Sequence, residues 1–391
     1  MLNTSLSPWP SFTQEEADAV SKVLLSNKVN YWTGTECREF EKEFAAFVGT
    51  QYAVALSNGT LALDVALKAM GIGAGDDVIV TSRTFLASAS CIVNAGANPV
   101  FADVDLNSQN ISAETVKAVL TPNTKAVIVV HLAGMPAEMD GIMALAKEHD
   151  LWVIEDCAQA HGAKYKGKSV GSIGHVGAWS FCQDKIMTTG GEGGMVTTND
   201  KALWRKMWSY KDHGKSYDAV YHREHAPGFR WLHESFGTNW RMMEMQAAIG
   251  RIQLKRMPEW TARRQSHAAK LAESLGKFAS IRLVEVTDYI EHAQYKFYAF
   301  VKPEHLKDGW TRDRIVSELN ACKVPCYQGS CSEVYLEKAF DDTPWRPKER
   351  LKNAVELGDT SLMFLVHPTL TDDEIAFCKE HIEAVLTEAT R

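Results

Sequence analysis

From Tyr52 to Asp156 the chain repeats one pattern, a short apolar run followed by a helical stretch, and this repeat limits the fold more than anything else in it. The runs Tyr52–Leu56, Val78–Thr81, Pro99–Asp103, Ala126–Val130 and Leu151–Glu155 predict strands, and the stretches 60–70, 85–95, 112–120 and 138–149 predict helices. Strands rich in Val and Ile without polar alternation are buried on both faces, which requires a largely parallel sheet covered by helices. The expected class is therefore α/β. In such sheets ligands sit outside the carboxyl ends of the strands, so Ser57-Asn58-Gly59, Asp156 and Ser180 are placed where a site would form.

Ahead of this core a helix is expected at Gln14–Ser26, then an aromatic loop, then a helix at Glu36–Phe47 with Phe40, Phe44 and Phe47 on one face. Beyond it come a helix at Lys201–Tyr210, a long loop at 211–238, and a helix Arg241–Met257 broken by Pro258. A further helix to Leu275 leads into a smaller α+β region with strands near 281–286 and 294–301 and helices near 311–320, 349–357 and 371–387. The expected domains are 1–260 and 261–391, in keeping with 391 residues at ~150 residues per domain.

A net charge of −7 gives no basic face for nucleic acid. No apolar run approaches the ~20 residues that span a bilayer, and the N-terminus carries no secretory pattern, so no membrane partner and a cytoplasmic location are expected. Of the eight cysteines none forms a Cys-x-x-Cys pair, and Cys322, Cys326 and Cys331 fit no usual zinc spacing, so reduced thiols and no metal are expected.

Three features carry chemistry. Lys185 follows an apolar strand and precedes a small-residue hairpin, Gly190-Gly-Glu-Gly-Gly194. A lysine nucleophile needs a partly desolvated site and an electron sink, for which pyridoxal phosphate is the usual choice. Asp156 ends a strand and can hold a pyridine nitrogen protonated; the competing reading makes it a cap of the following turn. Its neighbour Glu155 points the other way and reads as a structural or surface acid. Gln159 and His161 follow, each either a ring contact or a packed turn residue. Finally, Ser57-Asn-Gly-Thr-Leu-Ala-Leu63 puts small residues ahead of a helix, whose free amides suit a phosphate. Gly71-Ile-Gly-Ala-Gly75 ends a helix and is a cap, and no Walker or Gly-x-Gly-x-x-Gly fingerprint opens one, which argues against NTPase and dinucleotide chemistry.

Together with Thr84-Phe85, Glu155-Asp-Cys-Ala-Gln-Ala-His-Gly162, Ser180-Phe-Cys-Gln-Asp-Lys185, Gly191-Glu-Gly-Gly194, Asp212-His-Gly214 and Thr238-Asn-Trp-Arg-Met-Met-Glu-Met-Gln-Ala-Ala248, these blocks resemble the DegT/DnrJ/EryC1/StrS family of pyridoxal-phosphate sugar aminotransferases. The resemblance implies fold type I, the aspartate aminotransferase architecture, with a large mostly parallel sheet domain and a smaller α+β domain. It implies Lys185 as the Schiff-base lysine, Asp156 on the pyridine nitrogen, Gln159 on the ring hydroxyl and Phe85 stacked on the ring. Without the family, Phe85 is most simply a core aromatic.

Gly59, Thr60 and Ser180 would hold the phosphate, with Asn239 reaching it from the neighbouring subunit of a homodimer. Arg241 would bind the carboxylate of an L-glutamate donor, which leaves as 2-oxoglutarate. The acceptor would be a keto or aldehyde sugar, met by Tyr31, Trp32, His213, Tyr327 and Ser330. Some members carry His at the lysine position and dehydrate their sugar; Lys185 argues for amination. Many members acting on nucleotide sugars carry a His-Tyr-Pro-x-Pro-x-His-like run where this chain has Val324-Pro-Cys-Tyr-Gln-Gly-Ser-Cys-Ser-Glu-Val-Tyr335. Within the family the pattern is most similar to members that aminate C8 of an oxidised 3-deoxy-octulosonate (Kdo).

Overall fold

The computed structural model describes residues 6–391 apart from Ala226 and Phe229. Its central sheet has seven strands, in the order Tyr52–Leu56, Gly194–Thr198, Val176–Ser180, Trp152–Asp156, Thr124–Val130, Asp77–Thr81, Asn98–Ala102. Gly194–Thr198 pairs antiparallel with both its neighbours, and the other pairings are parallel. The unbroken apolar runs are buried as expected: every residue of Asp77–Thr81, Val176–Ser180 and Gly194–Thr198 lies in the interior. The predicted α/β alternation is present, and each strand of the repeat falls within two residues of its expected bounds.

A second sheet, wholly antiparallel, joins Ile281–Leu283, Phe297–Val301, Ser361–Phe364 and Cys326–Tyr327. Ile315 and Leu319 from one helix and Ile382 and Leu386 from another seal its core. A short third sheet pairs Ile290–Glu291 with Lys164–Tyr165, tying the C-terminal part to the large sheet's periphery.

The break expected at Pro258 does not occur. Glu244–Leu275 is one helix of 32 residues with Pro258 inside it. Proline removes one backbone donor and crowds the preceding turn, at a cost of roughly 3 kcal/mol. Packing offsets that cost. Leu254, Met257 and Trp260 join the cluster around Phe40, Phe44 and Trp179, while Ala268, Leu271 and Leu275 join the core of the second sheet. Both halves are thus anchored before and after the proline. The expected long loop at 211–238 is also interrupted, by a short helix at Tyr217–Tyr221. Among the described residues the eight thiols are free, and no helix is long and apolar enough to cross a membrane.

Candidate active site

The carboxyl ends of Trp152–Asp156 and Val176–Ser180 meet the amino end of helix Gly59–Met70 around a cleft of about 630 Å³. Gly59, Thr60, Phe85, Asp156, Gln159, Ser180 and Lys185 all line it. Seven residues spread over 127 positions therefore converge on one space.

One wall is a helix terminus. Asn58 caps the helix, its side-chain oxygen accepting the Leu61 N–H at 3.0 Å. The amides of Gly59 and Thr60, in the first turn, have no partner within a helix. Gly59 lies directly against Ser180: a Cβ at position 59 would sit 2.5 Å from the Ser180 Cβ. Such close approach admits only glycine, and it places two free amides and one hydroxyl on a single anion seat. Gly59→Ala should therefore push Ser180 aside and weaken cofactor binding by about 2 kcal/mol or more, roughly thirtyfold in Kd. Titration of the apoprotein with pyridoxal phosphate, followed by absorbance, would measure this; an unchanged Kd would remove the seat.

Asp156 is 7% exposed. One carboxylate oxygen accepts from the Ser88 hydroxyl at 2.8 Å and the other from the Ala158 N–H at 3.1 Å. The second bond is the turn-capping role of the competing reading, but it uses only one oxygen. Ser88 is in turn tied to the Thr84 hydroxyl at 2.9 Å, so the segment that carries Phe85 also orients the acid. Phe85 itself is 71% exposed, which rules out the simple core reading and leaves its ring facing the cleft. Gln159 accepts the Ala133 N–H at 2.8 Å through its carbonyl, which fixes its amide nitrogen as the end free to donate.

Lys185 projects from a turn held by its own N–H to the Cys182 carbonyl at 3.1 Å and by the Trp9 indole N–H to its carbonyl at 2.9 Å. Its Nζ lies 4.0 Å from an Asp184 oxygen and 5.5 Å from the centroid of the Tyr295 ring.

The neighbouring Glu155 serves the fold. It is fully buried, accepts the His131 Nε2–H at 3.0 Å, and accepts the N–H groups of Gly171, Ile173 and Gly174. Because His131 Nδ1 accepts the Ala137 N–H, Nε2 is the protonated nitrogen. Burial alone would raise the Glu155 pKa; the bonds from His131, Gly171 and Gly174 outweigh it and hold the carboxyl below its ordinary range. Cys157 adjoins this pair to make a ligand-like trio, but His131 and Glu155 already spend their polar atoms on each other and on backbone. His161 is the packed turn residue of the two readings. It is fully buried between Trp179 and Phe181, and burial, helped by the charges of Lys185 and Arg264, pushes its pKa down to about 3.

The remaining expected residues lie outside this cleft in the single chain. Arg241 pairs with buried Asp212 at 2.7 Å, and Asn239 is exposed beside it. Both belong to a segment that runs along the end of the first strand, where Ser57 donates its N–H to the Trp240 carbonyl. Tyr31 is a correction. It is 2% exposed, bonded to Glu41 and Trp208, with the Lys211 Nζ 3.6 Å from its ring centroid, so it is a core residue and not a sugar contact of its own cleft. Trp32 packs edge-on against Tyr31 and Trp208. His213 is exposed, with a left-handed backbone, and its N–H goes to the Thr238 carbonyl, next to Asn239. Ser330 is tied toward the Phe85 segment: its N–H reaches the Tyr298 hydroxyl, and the next carbonyl, of Cys331, accepts the Thr84 N–H, while Tyr327 pairs with Met363 in the second sheet. Ser88 had no signal in sequence, since a serine inside a helical stretch carries none.

An anion seat, a facing aromatic ring, a buried carboxylate, an amide donor and an amine fit pyridoxal phosphate, whose ring supplies an electron sink when bound. Comparison with known proteins agrees. The family model for DegT/DnrJ/EryC1/StrS aminotransferases matches residues 10–383. An aminotransferase from Psychrobacter cryohalolentis is 65% identical in sequence and superposes with a TM-score of 0.96 over 98% of this chain and 99% of its own. The UDP-N-acetyl-3-dehydro-alpha-D-glucosamine 3-aminotransferase of Acidithiobacillus ferrooxidans is 41% identical over 91% of this chain and 90% of its own. GDP-perosamine synthase of Caulobacter vibrioides is 38% identical over 86% of each. The chain is a pyridoxal-phosphate-dependent transaminase and belongs to the DegT/DnrJ/EryC1/StrS aminotransferase family.

Proposed function

We propose that this transaminase works as a cytoplasmic homodimer that moves the amino group of L-glutamate to a keto or aldehyde sugar for cell-surface polysaccharide. Our preferred acceptor is 3-deoxy-octulosonate oxidised to the aldehyde at C8, giving the 8-amino sugar and 2-oxoglutarate. The observation that carries aminotransfer is the presence of Lys185 and Asp156 in one cleft with the Gly59–Ser180 seat. In that reading Asp156 holds a proton on the ring nitrogen, Gln159 donates to the ring hydroxyl, and Phe85 covers the ring face. The Lys185 amine takes a proton from the donor's Cα and later returns one to the acceptor carbon, C8 for the octulosonate. The homodimer is supported by Asn239, which is exposed, outside its own cleft, and close in sequence to the large exposed side chains of Trp231 and Phe236. A nucleotide-linked keto sugar is the second reading, favoured by the substrates in the names of the Acidithiobacillus and Caulobacter relatives.

The test is a panel of acceptors, nucleotide keto sugars beside the C8 aldehyde of the octulosonate, with glutamate as donor. We expect 2-oxoglutarate and amino sugar to accumulate in equal amounts, with the acidic sugar preferred. Loss of water from the sugar without nitrogen transfer would replace transaminase by dehydratase. Preference for a nucleotide sugar would remove the octulosonate.

A further inference from the structure

The chain buries more positive charge beside Lys185 than it pairs. Arg264, in the middle of the long helix, is 1% exposed, and among the described residues its hydrogen bond runs from Nη1 to the Tyr295 carbonyl at 3.3 Å. Its Nε and Nη2 have no partner among the described residues, although burial of such groups unpaired is costly. The guanidinium lies 5.0 Å from the Trp9 ring centroid, and Trp9 is the residue that holds the Lys185 carbonyl. Lys296, next in sequence to Tyr295, is half-buried, with Nζ 4.8 Å from the Tyr295 ring centroid. Lys185 approaches that same ring to 5.5 Å. One carboxylate, Asp184, faces Lys185 and Lys296: it accepts the Tyr295 hydroxyl at 2.5 Å and lies 4.0 Å from the Lys185 amine.

Neither Arg264 nor Lys296 forms an ion pair among the described residues. With the Lys185 amine committed to the cofactor, two cations remain against one acid. Burial brings the Lys296 pKa down to about 8; Asp184 opposes this, and the charges of Arg264 and Lys185 add to it. The nearby His367 ring contributes no compensation, being pushed down to about 3 by burial and by Arg264, Lys296 and His267.

Two cations that share less than one acid are costly to hold together and are favoured when an anion arrives. The phosphate already has its own seat at Gly59, Thr60 and Ser180. Arg264 is sealed and Lys296 is only half-buried, so of the two cations Lys296 alone is open to a ligand. We propose that Lys296, backed by Arg264, forms a second anion subsite at the edge of the active-site cleft, across the Tyr295 ring from its lining, that binds a substrate carboxylate near Lys185. The inference rests on the aminotransferase reading above and names the charge its substrates must carry. A transaminase binds donor and acceptor in turn over the same lysine, so the carboxylate can come from the amino acid, from an acidic sugar, or from both.

Lys296→Met removes the charge at nearly constant volume, and Lys296→Arg keeps it. Both are made in the holoenzyme and read in separate half-reactions, with glutamate, with the C8 aldehyde of 3-deoxy-octulosonate, and with the methyl ester of that sugar. For whichever substrate supplies the carboxylate, Lys296→Met should raise KM by about tenfold or more while kcat moves less, and Lys296→Arg should recover most of the loss. If the sugar is the source, the wild type's preference for acid over ester disappears in Lys296→Met. If glutamate is the source, only the donor half-reaction shifts. Calorimetric binding of 3-deoxy-octulosonate itself reads the subsite without turnover. Unchanged KM for both substrates in Lys296→Met, with normal wild-type turnover, overturns the subsite and leaves the transaminase reading standing. A wild type that converts neither glutamate nor any sugar overturns that reading, and the subsite with it.

Discussion

Replacing Lys185 with alanine should lower turnover by roughly 10⁴-fold or more while the protein stays folded. Among the described residues that line the cleft, Lys185 alone carries an amine, so nothing else there can both hold the cofactor covalently and carry a proton at the reacting carbon. Among the described residues its side chain makes only the loose contacts with Asp184 and the Tyr295 ring. The bond from Trp9 reaches the backbone carbonyl, and the turn is closed by the Lys185 N–H, so both survive truncation. Borohydride treatment of the wild type should fix the cofactor on the peptide containing Lys185, and the variant should show no such adduct by mass. Full turnover in Lys185→Ala would sink the assignment. The amine to suspect then would be Lys296, which lies beside the same tyrosine ring.

The fold was largely legible because its signal is local. Runs of Val and Ile specify doubly buried strands whatever the distant partners are, and a helix start such as Asp200 ahead of Lys201–Tyr210 caps its own amides. Pro258 misled for the complementary reason: its penalty is local, but the packing that overrides it comes from two separate cores. Site residues divide the same way. Gly59, Asp156 and Ser180 sit at strand or helix ends, positions that sequence pattern can locate. Tyr31 could be judged only from partners such as Trp208, 177 positions away. The Arg264–Lys296 cluster was invisible because surface and buried cations read alike until the fold shows which lack an acid. Ser88 gave no hint of its bond to Asp156, 68 positions on.

The adjacent acids Glu155 and Asp156 should fail in opposite ways. Successive residues of a strand point to opposite faces, so two chemically similar side chains enter different surroundings. Asp156 faces the cleft and is held by one hydroxyl and one amide. Asparagine there keeps the shape and can still accept, but it loses the negative charge that would hold a proton on the ring nitrogen. Asp156→Asn should cost roughly 10³-fold in turnover with little change in thermal unfolding.

Glu155 faces away from the cleft, where one imidazole N–H and three backbone N–H groups converge on its two oxygens. Glutamine puts an NH₂ where an acceptor is needed and sets donor against donor in a fully buried site. Glu155→Gln should destabilise the protein by about 3–5 kcal/mol, seen as a lower midpoint in denaturant, while the molecules that remain folded keep their activity. The pair is informative because each residue controls for the other. A stable but inactive Glu155→Gln, or an unfolded Asp156→Asn, would mean that the strand presents its acids the other way round. The carboxylate assigned to the ring nitrogen would then be the wrong one.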